Sequence, residues 1–155
     1  MLNMIKLEDS VIIHRSPDKV FAFTTDMKNN PKWQSDIVEI EPITDGVSGR
    51  GSMYRCVNIF MGQRFESEAT VSEYIPAQKC SYQIKAGSIN GENSFIYEPL
   101  NGSTKFTTRV RLRLGFLALA GGLFKRTAKE QIKKDLNRLK NILENVGKKK
   151  PVSAP

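Results

Sequence analysis

The sequence predicts an α+β fold: a curved seven-stranded antiparallel sheet wrapped around a long C-terminal helix, with two short helices between strands 1 and 2. Three observations carry this. From Ile37 to Leu114 the chain alternates apolar and polar residues in short runs separated by turn dipeptides. After Gly121-Gly122 the apolar residues recur at steps of three and four instead. Between the first strand and the rest, a small polar residue followed by proline occurs twice, as Ser16-Pro17 and Asn30-Pro31.

The first strand lies within Met4 to His14, where Ile5, Leu7, Val11 and Ile13 sit at even spacing. Ser16 is then a helix N-cap, Pro17 suits the first helical position, and Asp18 favours the positive helix end. Val20, Phe21, Phe23 and Met27 give that short helix its apolar face, and Asn30-Pro31-Lys32-Trp33 repeats the cap-plus-proline device for a second one. Strands follow near 37–44, 52–60, 64–74, 79–86, 93–98 and 104–114. The breaks between them fall at Asp45-Gly46, Met61-Gly62, Pro76, Gly87 with Asn90-Gly91, and Asn101-Gly102. Connections this short imply an antiparallel meander, because parallel crossovers need a dozen or more residues. The last element carries Phe124, Ala128, Ile132, Leu136, Leu139, Leu143 and Val146 on one face and stops at Gly147. At about 24 residues it is roughly 36 Å long, enough to cross a whole sheet.

The Met61-Gly62 turn fixes a register. It sets Phe60 against Gln63, Asn58 against Phe65, Cys56 against Ser67 and Tyr54 against Ala69; the other face pairs Arg55 with Glu68, Val57 with Glu66 and Ile59 with Arg64. The Arg–Glu pair belongs on the wet face, which turns Tyr54, Cys56, Phe60, Phe65, Ala69 and Val71 inward. The same alternation turns Cys80, Tyr82 and Ile84, then Phe95 and Tyr97, then Phe106, Thr108 and Val110 inward. The inner surface is therefore apolar and aromatic, with a few hydroxyl and amide groups.

Composition bounds the alternatives. The chain has 155 residues, 39% apolar and 26% charged, which suits one globular domain with a sizeable core. Its net charge of +8 is unevenly placed: residues 1–102 hold 10 basic and 13 acidic side chains, residues 103–155 hold 14 and 3. Lys105, Arg109, Arg111 and Arg113 share one face of the last strand, and Lys148-Lys149-Lys150 forms a basic end. Solvated element faces explain most of this; an anionic membrane surface is the sharper reading. No aromatics interleave with the arginines and no nucleic-acid-binding motif is present, so nucleic acid is not expected as a partner. Cys56 and Cys80 are too few for a disulfide framework or a metal cluster and read as small buried hydrophobes. Met1 to Ser10 lacks the apolar run of a signal peptide, and the longest apolar stretch, Leu114 to Phe124, has 11 residues where a membrane span needs about 20. A reducing, cytoplasmic location is expected. His14, the only histidine, has the parity of the polar face, and no nucleophile elbow, phosphate loop or metal-ligand spacing accompanies it. No catalytic residue, metal or cofactor is assigned.

The stretch Val11-Ile12-Ile13-His14-Arg15-Ser16-Pro17-Asp18-Lys19-Val20-Phe21 resembles the opening of the SRPBCC superfamily, the START and birch-pollen-allergen-like helix-grip proteins. Asp26 followed by Asn30-Pro31-Lys32-Trp33 is similar to that family's second short helix. Gly49-Arg50-Gly51, the run from Val71 to Pro76, and Glu98-Pro99 with Gly102-Ser103-Thr104 match further family punctuation. The resemblance spans about residues 4 to 146 and is nearest to the polyketide cyclase/dehydrase-like branch. It implies a helix-grip domain over residues 1–147; the residues beyond it, 148–155, read as a basic, flexible tail. The order of elements itself predicts an internal cavity, because a straight helix does not match a curved sheet everywhere. It carries over no catalytic set, since the superfamily spans enzymes, lipid and hormone binders, and co-chaperones.

The candidate ligand-binding residues are Trp33, Tyr54, Asn58, Phe65, Ser67, Tyr82, Phe95, Tyr97, Thr108 and Phe124. Binding of a hydrophobic or amphipathic small molecule, or a lipid, is the primary expectation. A cyclase/dehydratase using Asn58 or Tyr82 to polarise a carbonyl is the second. A lipid carrier docking through residues 114–126 and the basic last third is the third.

Overall fold

The computed structural model describes residues 4–113 and 121–145. Strand β1 (Met4–Ile13) is followed by α1 (Pro17–Thr25), a 3-10 turn (Met27–Asn29) and α2 (Asn30–Trp33). Six strands follow: β2 (Ile37–Pro42), β3 (Met53–Phe60), β4 (Gln63–Ile75), β5 (Lys79–Ala86), β6 (Ile89–Leu100) and β7 (Ser103–Arg113). The long helix α3 (Gly121–Asn145) closes the order. The sheet is antiparallel throughout in the order β1-β7-β6-β5-β4-β3-β2. β1 and β2 are thus opposite edges, and the chain between them must cross the concave face. α1 and α2 make that crossing.

The turn at Met61-Gly62 sits where the sequence places it, with φ of 50° and 78° at its two residues, the left-handed pair that a tight hairpin requires. The β3–β4 register follows, from Phe60↔Gln63 to Tyr54↔Ala69. On the wet face Arg55 pairs with Glu41 and Glu66 rather than with Glu68 directly opposite.

Three local expectations are corrected. Asn90-Gly91 is not a turn: the bend falls at Gly87, and β6 starts at Ile89, four residues before the anticipated strand. Gly91 faces Leu112 across the β6–β7 pair, and a Cβ there would meet the Leu112 Cδ2 at 2.4 Å. The glycine is there for close packing. Ser16 occupies the N-cap position of α1, but its side chain makes no capping bond; its carbonyl accepts from the Lys19 and Val20 amides. Asn30 is not an N-cap either; that position of α2 belongs to Asn29. Asp26 caps the 3-10 turn through the Lys28 amide, while Asn30 is the first residue of α2 and donates from Nδ2 to Gln34 Oε1.

The apolar stripe of α3 faces the sheet, with Leu136, Leu139 and Leu143 buried among Ile13, Val20, Phe21, Trp33, Phe95 and Phe106. Aromatic rings tile this end: Phe106 lies 5.3 Å from both Phe95 and Tyr97, and Trp33 lies 5.5 Å from Phe95. A smaller cluster of Ile5, Leu7 and Ala128 lies towards the helix start, bordered by Phe60, Val110, Leu112 and Phe124. Val146, Gly147 and the tail 148–155 lie outside the described residues, as does 114–120, most of the segment considered for membrane docking.

Candidate functional site

The C-terminal half of α3 seals its end of the sheet with leucines. The other half does not. There the stripe carries Phe124, Ala128 and Ile132, and along its length the α3 backbone comes closest to β1 and α2 rather than to the middle strands. The mismatch leaves a cavity of about 280 Å3 between the inner sheet face, α2 and α3, close to the lower bound of the roughly 300–1,000 Å3 typical of small-molecule sites. Its walls are mainly apolar, including Leu7, Phe60, Ile84, Val110, Leu112 and Ala128.

Of the candidate residues, Trp33, Asn58, Phe65, Ser67, Tyr82, Phe95, Thr108 and Phe124 line this cavity. Tyr54 and Tyr97 do not. Tyr54 is buried with its hydroxyl against Ser48 Oγ, and Tyr97 is buried at the packed end, bonded to Thr24 Oγ1 and 5.1 Å from Phe21. Both have the inward parity but the wrong height along their strands. Phe65 stands at the rim, 37% exposed. Trp33 serves both purposes: it anchors α2 on Phe95 and walls the cavity.

Polar groups interrupt the apolar wall in two bonded pairs. Ser67 Oγ donates to Asn58 Oδ1 at 2.7 Å, and Thr108 Oγ1 donates to Asn93 Oδ1 at 3.1 Å. Asn58 turns its amide towards Asp36 Oδ2, at 3.5 Å. Burial holds the Tyr82 hydroxyl well above the usual tyrosine range, so it remains a neutral donor. Burial likewise pushes the Cys56 and Cys80 thiols up to about 11, which makes them inert packing rather than nucleophiles.

Two carboxylates absent from the candidate residues meet here. Asp36 follows α2, and Asp135 lies on α3; both line the cavity. Burial raises both pKa values. Asp36 is pulled back by backbone bonding and by Asn58, while Asp135 reaches about 6 against the opposing bonds from Ser35. Ser35 N donates to Asp135 Oδ1 at 3.3 Å, which ties the α2–β2 link to the helix. The signal for Asp135 was present: it sits between Ile132 and Leu139 on the apolar stripe, where a solvated charge has no place.

The remaining features fall outside the cavity. His14 is exposed, bonded through Nδ1 to Ser103 Oγ. Arg109 of the basic strand face is paired with Glu8. The described residues contain no group of three or more His, Cys, Asp or Glu suited to a metal, and no described helix is long and apolar enough to cross a membrane.

A strongly bent antiparallel sheet closed on a C-terminal helix, with a cavity left between them, defines the helix-grip class. Residues 4–144 match the model of the family described as polyketide cyclase/dehydrase and lipid transport, and the chain belongs to that family. No curated protein matches it in sequence. Among solved structures it is similar to an aromatase/cyclase from a Streptomyces species, with a TM-score of 0.77 at 14% identity over 92% of this chain and 95% of that one. It is also similar to a START superfamily protein from Mycobacterium smegmatis, with a TM-score of 0.75 at 20% identity over 91% and 98%. A protein from Thermus thermophilus gives 0.75 at 15% identity over 92% and 99%. At these identities the likeness concerns the fold.

Proposed function

We propose that this protein binds a hydrophobic or amphipathic small molecule between its sheet and α3. The observation that carries the reading is the 280 Å3 cavity, walled by apolar side chains but holding a few fixed polar groups. A packed core leaves no such space, because interiors reach crystal-like density and an unfilled void loses contacts along its whole lining. Trp33, the only tryptophan, lies in the wall and reports on occupancy.

The test fills the space from the protein side. Ala128 lines the cavity from α3 and is 9% exposed. Ala128→Phe is expected to abolish the Trp33 fluorescence change on titration with 1-decanol while leaving the melting temperature unchanged or higher. A tightly packed site would instead lose about 1–3 kcal/mol to overpacking, and that loss, with decanol binding intact, would sink the reading.

One observation favours turnover as a second reading. Asp135, with its pKa near 6 beside Asp36 in an apolar cavity, has the character of an acid–base group. Cyclised product from a poly-β-ketoacyl thioester, lost in Asp135→Asn, would support it. Absence of any product would leave binding alone.

A further inference from the structure

On a chain of net charge +8, the cavity lining includes the buried Asp36 and Asp135 and, among the described residues, no Lys, Arg or His; Glu92, also at the wall, turns its carboxylate to the outer face, towards Gln83 and Ser94. The hollow is acidic inside a basic protein. Neither Asp36 nor Asp135 forms an ion pair with a described residue; Asp36 is bonded to its own backbone and to the Asn58 amide, and Asp135 to the Ser35 backbone and side chain, all of them uncharged groups. The nearest compensation is Arg138, exposed one turn further along α3 and not part of the wall; it draws the Asp135 pKa only partly back.

A second, independent feature points the same way. Asn30 lines the cavity and is 3% exposed; its Nδ2 donates to Gln34 Oε1, but its Oδ1 has no partner. A buried acceptor left unpaired costs free energy that a donor arriving with a ligand would recover. Trp33 Nε1, on the same short helix and also buried without a partner, contributes one donor. The unpaired groups at α2 are thus one acceptor and one donor beside two buried carboxylates.

We infer that the cavity takes an amphipathic molecule whose polar end is a cationic hydrogen-bond donor, such as a primary ammonium group. Asp36, Asp135 and Asn30 Oδ1 accept from that group, and Trp33 Nε1 meets a neutral oxygen on the same molecule. This rests on the binding reading above and adds the chemical class of its ligand. A carboxylate- or phosphate-headed lipid would bring like charge to Asp135, ionised above about pH 6, in a low dielectric and is rejected.

Three probes of equal chain length separate the possibilities on the unmodified protein: decylamine, 1-decanol and decanoate at pH 7.5, followed by Trp33 fluorescence and by calorimetry. The amine is expected to bind at least about tenfold more tightly than decanoate, the scale of one hydrogen bond to a charged group. Adsorption to the surface of a +8 protein would favour decanoate, so it cannot imitate this order. In the doubly substituted Asp36→Asn, Asp135→Asn protein, with its fold checked by circular dichroism, the amine's advantage over decanol is expected to collapse to within about threefold. Decanoate binding as tightly as the amine would overturn the inference while leaving a binding protein. No binding of any of the three probes would overturn the binding reading itself.

Discussion

Phe106→Ala is expected to cost about 3–5 kcal/mol of folding stability, the range for removing a buried aromatic ring. The site makes the upper half of that range the better expectation. Phe106 is fully buried, and its ring is held by three others: Phe95 and Tyr97 at 5.3 Å and Trp33 at 6.0 Å. The three rings left behind cannot collapse into the hole without giving up their other aromatic contacts, Trp33 with Phe95, Phe95 with Tyr82 and Tyr97 with Phe21. For a chain of this size each kcal/mol moves the melting temperature by roughly 2–4 °C, so a fall of about 8–20 °C is anticipated in calorimetry. Phe65→Ala supplies the contrast. Phe65 stands at the cavity rim, and its ring is already in contact with open space, so its removal should cost less than about 1.5 kcal/mol. Equal losses in the two variants would mean that the division into a packed end and a hollow end is wrong.

That division also explains what could be read from the sequence. Strand parity is a local property. Once the Met61-Gly62 turn is fixed, each inward residue from Tyr54 to Val71 follows, and the register shows this pairing. Height along the strand is not local. Tyr54 and Tyr97 share the parity of Asn58 and Phe95 but end beside the Ser48 loop and at the packed end, because which inward residues meet the void depends on how α3 and the short helices fill the rest of the concave face. Gly91 was misread for a related reason: a glycine after asparagine looks like a turn, while its cause is Leu112 on the neighbouring strand. The Asp36–Asp135 meeting depends on tertiary approach between the α2–β2 link and the helix, so spacing in the chain could not announce it. Asp135 alone could have been flagged, as a charge interrupting the stripe that buries Leu136 and Leu139.

Asp135→Asn is expected to stabilise the protein at alkaline pH and to change little in acid. An aspartate in the unfolded chain titrates near 3.8, and folded Asp135 keeps its proton up to about pH 6. Between those values native Asp135 binds more protons than the unfolded residue, so its own contribution to stability is most favourable below about pH 4 and is lost as the pH rises through 6. Above that window the buried, ionised carboxylate costs the fold about 3 kcal/mol. Asparagine keeps an oxygen for the Ser35 amide and carries no charge to bury. At pH 8 the variant is therefore expected to melt up to roughly 6–12 °C above the parent, with the gap closing towards pH 4. Asp36, raised in the same direction, remains in the variant and leaves it a shallower slope of the same sign. A gain that is constant from pH 4 to pH 8, or a loss at pH 8, would show that Asp135 is not ionised at the fold's expense. The predicted pattern has a functional corollary. A carboxylate that weakens the empty protein at neutral pH is stabilised again when a cation settles against it, so ligand and fold draw on the same group. Decylamine should accordingly raise the melting temperature of the parent more than that of Asp135→Asn, and most strongly above pH 6.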